Sequence, residues 1–143
     1  MEITELDTKD EPQSLRVLVA GGTPSDNSLV CRLLNESGFS GHPVSDLEAL
    51  ESRITEAGSE PFLAAILDLD TLEVDNRTIR GLVQTFPELS LFCMSSQRVH
   101  PELREAIGRF FYACLSKPLD PDELTYLLRS VSDNSNPTQA QPP

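Results

Sequence analysis

The sequence predicts an α/β fold: a doubly wound, five-stranded parallel sheet of (βα)5 type with strand order 2-1-3-4-5. Three observations predict it. Four of the five strand candidates are short and almost continuously apolar, as strands covered on both faces must be. Each strand candidate is followed by an amphipathic stretch with helical spacing and its own start and stop signals. The connections are short, and right-handed crossovers then distribute the helices over both faces.

The strands, in order, are LRVLVA (15–20), a weaker GHPVS (41–45), FLAAILD (62–68), LSLFCM (89–94) and FYACLS (111–116). Ser25 can cap a first helix carrying Leu29, Val30, Leu33 and Leu34, which stops at Gly38. Asp46 precedes a second, with Leu47, Leu50 and Ile54, ending near Gly58. Ile79, Leu82, Val83 and Phe86 form a third stripe, closed by Pro87. Pro101 suits the first turn of a short fourth helix holding Leu103 and Ile107. Asp120, Pro121 and Glu123 supply a cap, an N1 proline and an N3 acid ahead of Leu124, Leu127, Leu128 and Val131.

This core spans residues 15–131 of 143, enough for one domain. The acidic, polar residues 1–14 read as a disordered tail without the apolar centre of a secretion signal. Residues 132–143, rich in Ser, Asn, Gln and Pro, read as a second disordered tail or a linker to a following domain. Asp and Glu outnumber Lys and Arg by 23 to 11, a net charge of −12. Such a surface repels nucleic acid and anionic lipid, so protein or small-molecule partners are expected, with no nucleic acid and no membrane. No apolar run approaches the roughly 20 residues that cross a bilayer. Cys31, Cys93 and Cys114 are widely spaced in apolar surroundings, which points to buried free thiols in a reducing cytoplasm. His42 and His100 are single loop histidines, read as solvated.

Ligands of such sheets bind beyond the carboxyl ends of the strands. After the first strand stands VLVAGGTPSDN (17–27), whose glycines raise the possibility of a dinucleotide site. A G-x-x-G-x-x-G turn begun at Gly21 would need glycines where Pro24 and Asn27 stand. Asp46 falls near the place of a ribose-binding acid, so a nucleotide-binding Rossmann-like domain stays as a remote alternative.

The other strand ends deliver Asp68 (ILDLD), Ser95 (CMSS) and Lys117 (LSKP). A carboxylate, a hydroxyl and an ammonium at one sheet edge can form and hold an aspartyl phosphate. On these residues, with SKPLDPDEL (116–124) and AAILDLD (64–70), the chain resembles the receiver domains of two-component response regulators, whose sheet is flavodoxin-like. The resemblance covers about residues 15–131 and also takes in Thr23-Pro24. It implies that Asp68 is the candidate phospho-acceptor, Lys117 the residue that neutralises phosphoryl charge, and Ser95 the switch hydroxyl.

The departures are as informative. Receivers carry two metal-binding acids after the first strand; here Gly21 and Gly22 stand there. No cofactor is expected, and Mg²⁺ would bind weakly if at all, through Asp68 and the Asp70 backbone carbonyl. Asp26 is expected to point away; Asp70 and Glu73 are the acids positioned for a partial rescue. The usual loop proline is Leu72, the usual glycine is Asn76 (a residue tolerant of left-handed geometry), and the aromatic switch position holds Cys114, with Phe111 and Tyr112 nearby.

The resemblance thus implies an atypical receiver that is not an enzyme beyond self-phosphorylation from a phosphodonor. It would act as a cytoplasmic interaction and regulatory module. The alternative is a receiver taking phosphate at Asp68 from a histidine kinase or phosphotransfer protein. Implied partners are such a kinase or phosphotransfer protein, an output domain on the face of the fourth helix, fifth strand and fifth helix, or a second copy.

Overall fold

The computed structural model describes residues 15–58, 61–96 and 101–134. The expected first tail, most of the second and His100 lie outside these residues. Five strands, β1 (Arg16–Ala20), β2 (Ser40–Val44), β3 (Ala64–Asp68), β4 (Ser90–Ser95) and β5 (Phe111–Ser116), form one parallel sheet in the order β2-β1-β3-β4-β5. Between and after them run α1 (Pro24–Glu36), α2 (Leu47–Ala57), α3 (Asn76–Thr85), α4 (Arg104–Arg109) and α5 (Pro121–Asn134), with a 3-10 turn at Pro101–Leu103 ahead of α4. The expected fold class and strand order are those observed.

Alternation along the strands divides the core into two layers. Val17, Val19, Ile66, Phe92, Met94 and Leu115 meet Val30 and Leu34 of α1 and Leu124, Leu128 and Val131 of α5. Leu18, Ala20, Ala65, Leu67 and Leu91 meet Leu50 of α2, Ile79 and Leu82 of α3 and Ala106 of α4. β3 lies at the centre of the sheet with all five residues buried, so its apolar run needs no alternation with polar residues. β2 is an edge strand, where the missing N–H of Pro43 costs least.

Asp46 caps α2 as its position predicts, accepting the Ala49 N–H at 2.9 Å. The cap of α1 is Thr23 rather than Ser25: its Oγ1 accepts the Asp26 N–H at 3.1 Å and Pro24 opens the first turn. A proline at N1 loses a donor that the helix leaves unpaired anyway, so the start moves to it. Asn76 is not left-handed, since no non-glycine residue described has a positive φ. It is the first residue of α3, behind the capping Asp75, and its side chain bonds the Glu102 carbonyl and the Ala106 N–H, both at 2.8 Å. Helix α5 runs on to Asn134, three residues past the expected boundary at 131.

The cysteine expectation is corrected too. Cys93 and Cys114 face each other in register on β4 and β5, 4.7 Å apart at Cα, and are joined as a disulfide; Cys31 alone is free. A separation of 21 residues hid the pair, because only the strand order makes the two neighbours.

Candidate functional site

The carboxyl ends of β1, β3, β4 and β5 bring the site residues together. Asp68 ends β3 with 0% of its surface exposed. Its Oδ1 accepts the Asp70 N–H at 2.9 Å, and its Oδ2 accepts from Lys117 Nζ at 2.9 Å. Lys117 follows β5 and is pinned there by its own N–H, which donates to the Ser95 carbonyl at 3.0 Å. The peptide from Lys117 to Pro118 is cis. The same ammonium lies 3.1 Å from Asp70 Oδ2 and 3.7 Å from Asp26 Oδ2.

Ser95, 7% exposed, donates through Oγ to Asp70 Oδ1 at 3.1 Å, and the Ser96 N–H donates to Asp70 Oδ2 at 3.0 Å. Asp68 and Lys117 therefore meet directly, and Ser95 joins them through the Asp70 side chain, an acid expected at most to help hold a metal. Burial alone would raise the Asp70 carboxyl; hydrogen bonds from Lys117, Ser96 and Ser95 outweigh it and hold the group below the usual carboxylate value. Burial alone would lower the Lys117 ammonium; its bonds to Asp68 and Asp70 outweigh this and hold it above the usual lysine value.

The glycines shape the other wall. Gly21 and Gly22 have φ of +82° and +85°, a left-handed backbone that favours glycine. A Cβ on Gly21 would lie 2.7 Å from Leu72 Cγ and 2.8 Å from Thr71 Oγ1. One on Gly22 would lie 2.6 Å from Asn27 Oδ1 and 3.1 Å from Asp68 Oδ2. The Gly22 N–H also donates to Thr71 Oγ1 at 2.7 Å, tying the β1–α1 loop to the β3–α3 loop. Leu72 and Asn27 thus take up the space over the glycines.

Mg²⁺ asks for a near-octahedral set of oxygens, normally with carboxylates among them. Both Asp68 oxygens already accept N–H donors, and the Lys117 ammonium sits among the three carboxylates. Asn27 Oδ1 is buried without a hydrogen-bond partner, yet it is a neutral oxygen and does not replace an acidic pair. No group of three or more His, Cys, Asp or Glu among the described residues is arranged to hold a metal ion. This donor set does not fit Mg²⁺.

Asp26 reaches toward the site instead of away from it, because the helix starts at Pro24 and turns its third residue to the sheet edge. Asp70, one of the two acids considered for a partial rescue, lies in the turn just beyond β3, where its side chain reaches Lys117 and Ser95. Glu73, the other acid considered, is exposed. Of the aromatics near Cys114, Phe111 is buried and Tyr112 is exposed beside Phe92.

No family model matches the chain. It is 30% identical over 119 residues to the sensor protein TorS of Escherichia coli, a match covering 80% of this chain and 12% of that protein's length. Among solved structures, a CheY-like response regulator receiver domain protein of Methanospirillum hungatei superposes with a TM-score of 0.72 at 12% identity, covering 88% of this chain and 99% of that one. A response regulator receiver domain protein of Clostridium thermocellum gives 0.71 at 16% identity, with 86% and 98% covered. A sensor protein from Polaromonas gives 0.67 at 23% identity, again with 86% and 98% covered.

Proposed function

We propose that this chain, which has the receiver-domain fold of response regulators, is an atypical receiver of two-component signalling that works as a protein-interaction and regulatory module. Phosphorylation of Asp68 dependent on Mg²⁺ is weak or absent in this reading. One observation carries it: the Lys117 ammonium is bound by Asp68 and Asp70, at 2.9 and 3.1 Å, where a metal would otherwise offset their charge. The closed wall of Leu72 and Asn27 over the two glycines supports the same reading.

In this mode the chain is not an enzyme, and no cofactor is called for. It would sit in the cytoplasm, as one domain over residues 15–131, and present the face of α4, β5 and α5 to a kinase, a phosphotransfer protein, an output domain or a second copy. No helix described is long and apolar enough to cross a membrane.

The retained Asp68–Lys117 contact favours a second reading, in which Asp68 accepts phosphate. Its carboxylate would attack the phosphorus of a phosphohistidine as the N–P bond breaks. Lys117 would then turn from the carboxylate to the phosphoryl oxygens, with Ser95 donating to one of them.

The two readings part in one experiment. The domain is titrated with Mg²⁺ and beryllofluoride, a phosphoryl mimic, while backbone NMR shifts are followed around Asp68. Flat spectra up to tens of millimolar Mg²⁺ are expected. Saturable shifts that vanish in Asp68→Asn would overturn the interaction-only reading.

A further inference from the structure

The two bonded cysteines differ in access. Cys93 is 2% exposed within the core layer of α2, α3 and α4, whereas Cys114 is an exposed position of β5 at the edge of the sheet. We infer that Cys93 and Cys114 form a reversible thiol–disulfide modification site, with low-molecular-weight disulfides and thiols as co-reactants and Cys114 as the sulfur they meet.

Oxidation takes two exchanges. The Cys114 thiolate attacks one sulfur of a disulfide RSSR, forming a mixed disulfide Cys114–S–S–R and releasing RS⁻. The Cys93 thiolate then attacks the Cys114 sulfur, closing the protein disulfide and releasing a second RS⁻. The protons of the two cysteines pass through water to the two leaving thiolates. The protein loses two electrons, and RSSR becomes two RSH. Reduction reverses the order: RS⁻ attacks Cys114, Cys93 leaves as thiolate, and a second RS⁻ frees Cys114.

The order follows from placement. A bulky disulfide reaches an exposed edge strand but not a buried sulfur in β4, and Cys93 needs to reach only its neighbour in register. The remaining cysteine is a poor competitor. Cys31 packs against Gly41, where an added Cβ would lie 2.8 Å from its Sγ, and burial pushes its thiol up. The bond also has a place in the candidate site. It staples β4, which ends at Ser95, to β5, which leads into Lys117, just below the Lys117 N–H to Ser95 carbonyl bond.

The test uses the full chain, reduced and then treated with glutathione disulfide, quenched by alkylation and read by mass spectrometry. The wild type should fall from three alkylatable thiols to one, with a peptide linking Cys93 to Cys114. Cys93→Ser should stop at a glutathione adduct on Cys114, and Cys114→Ser should leave Cys93 unmodified. Rapid quenching of the unaltered chain, which needs no folded variant, should catch the transient adduct on Cys114. Three alkylatable thiols persisting in the wild type would overturn the inference. So would a transient adduct on Cys93 in that chain.

Discussion

Lys117 Nζ lies 2.9 Å from Asp68 Oδ2 and 3.1 Å from Asp70 Oδ2, so one ammonium serves two carboxylates, with Asp26 as a more distant third. Its removal is therefore costlier than the removal of Asp68. Lys117→Met strands a carboxylate that has no exposed surface, a change worth about 3 kcal/mol, the lower end for a broken buried pair. Asp68→Asn leaves Lys117 with Asp70 and relieves repulsion between carboxylates, so its cost is about 1 kcal/mol or less. Urea denaturation of the two single variants and the double variant measures this. In the Asp68→Asn background, Lys117→Met should lose most of its effect; an equal cost in both backgrounds would show that the contact carries no coupling.

Restoring acids at the glycines does not restore a metal site. Gly22→Asp must place a side chain on a backbone of φ +85°, with Asn27 Oδ1 2.6 Å from its Cβ. The left-handed conformation alone costs about 1–2 kcal/mol for a residue with a Cβ. Gly21→Asp meets Leu72 in the same way, at 2.7 Å. Each variant should be less stable than the wild type by about 2 kcal/mol in urea and show no saturable Mg²⁺ shift at Asp68. Millimolar Mg²⁺ binding by a fully stable Gly22→Asp chain would refute the filled-wall account.

What the sequence made legible follows the reach of each signal. Strand order, the Asp46 cap and the convergence of Asp68, Ser95 and Lys117 rest on local patterns plus one topology rule, so they could be read along the chain. The Asp70 side chain as the hub could not, since it depends on how Ser95 and Ser96 turn at the end of β4 and Lys117 after β5. The same holds for the Cys93–Cys114 bond, whose partners meet only once β4 and β5 are in register. Asn76 differs for another reason: its tolerance of left-handed turns goes unused, and its amide joins α3 to the segment of α4.

That amide leads to a third outcome. Asn76 Nδ2 donates to the Glu102 carbonyl, and its Oδ1 accepts the Ala106 N–H, so a residue of α3 satisfies backbone groups in and just before the short helix α4. Asn76→Ala loses both bonds and should cost about 1–3 kcal/mol. Asn76→Asp keeps the acceptor toward Ala106 but loses the donor toward Glu102, and should fall between the two. Hydrogen exchange localises the effect: the Ala106 amide should lose protection in Asn76→Ala and keep it in Asn76→Asp. Unchanged protection in both variants would show that α4 holds without this tie.

Acid should separate the wild type from Asp70→Asn in a defined window. The folded Asp70 carboxyl is held below its ordinary value, so the stability it contributes is complete above the unfolded value of about 3.9. That contribution is lost as pH falls from there through the lower folded value. Lys117 is shifted the other way, upward, so its contribution is complete below about 10.4 and disappears only as pH rises through its folded value. It stays constant across the acid range. Asp75, also held low by its bonds from Thr78, titrates alike in both proteins and cancels from their difference. The wild type should thus exceed Asp70→Asn in stability by a constant margin from pH 7 down to about 5, and the margin should shrink below about 4. Urea midpoints at a series of pH values measure it; a margin already gone at about pH 6, or undiminished in strong acid, would mean that the Asp70 carboxylate is not what holds Lys117, Ser95 and Ser96 together.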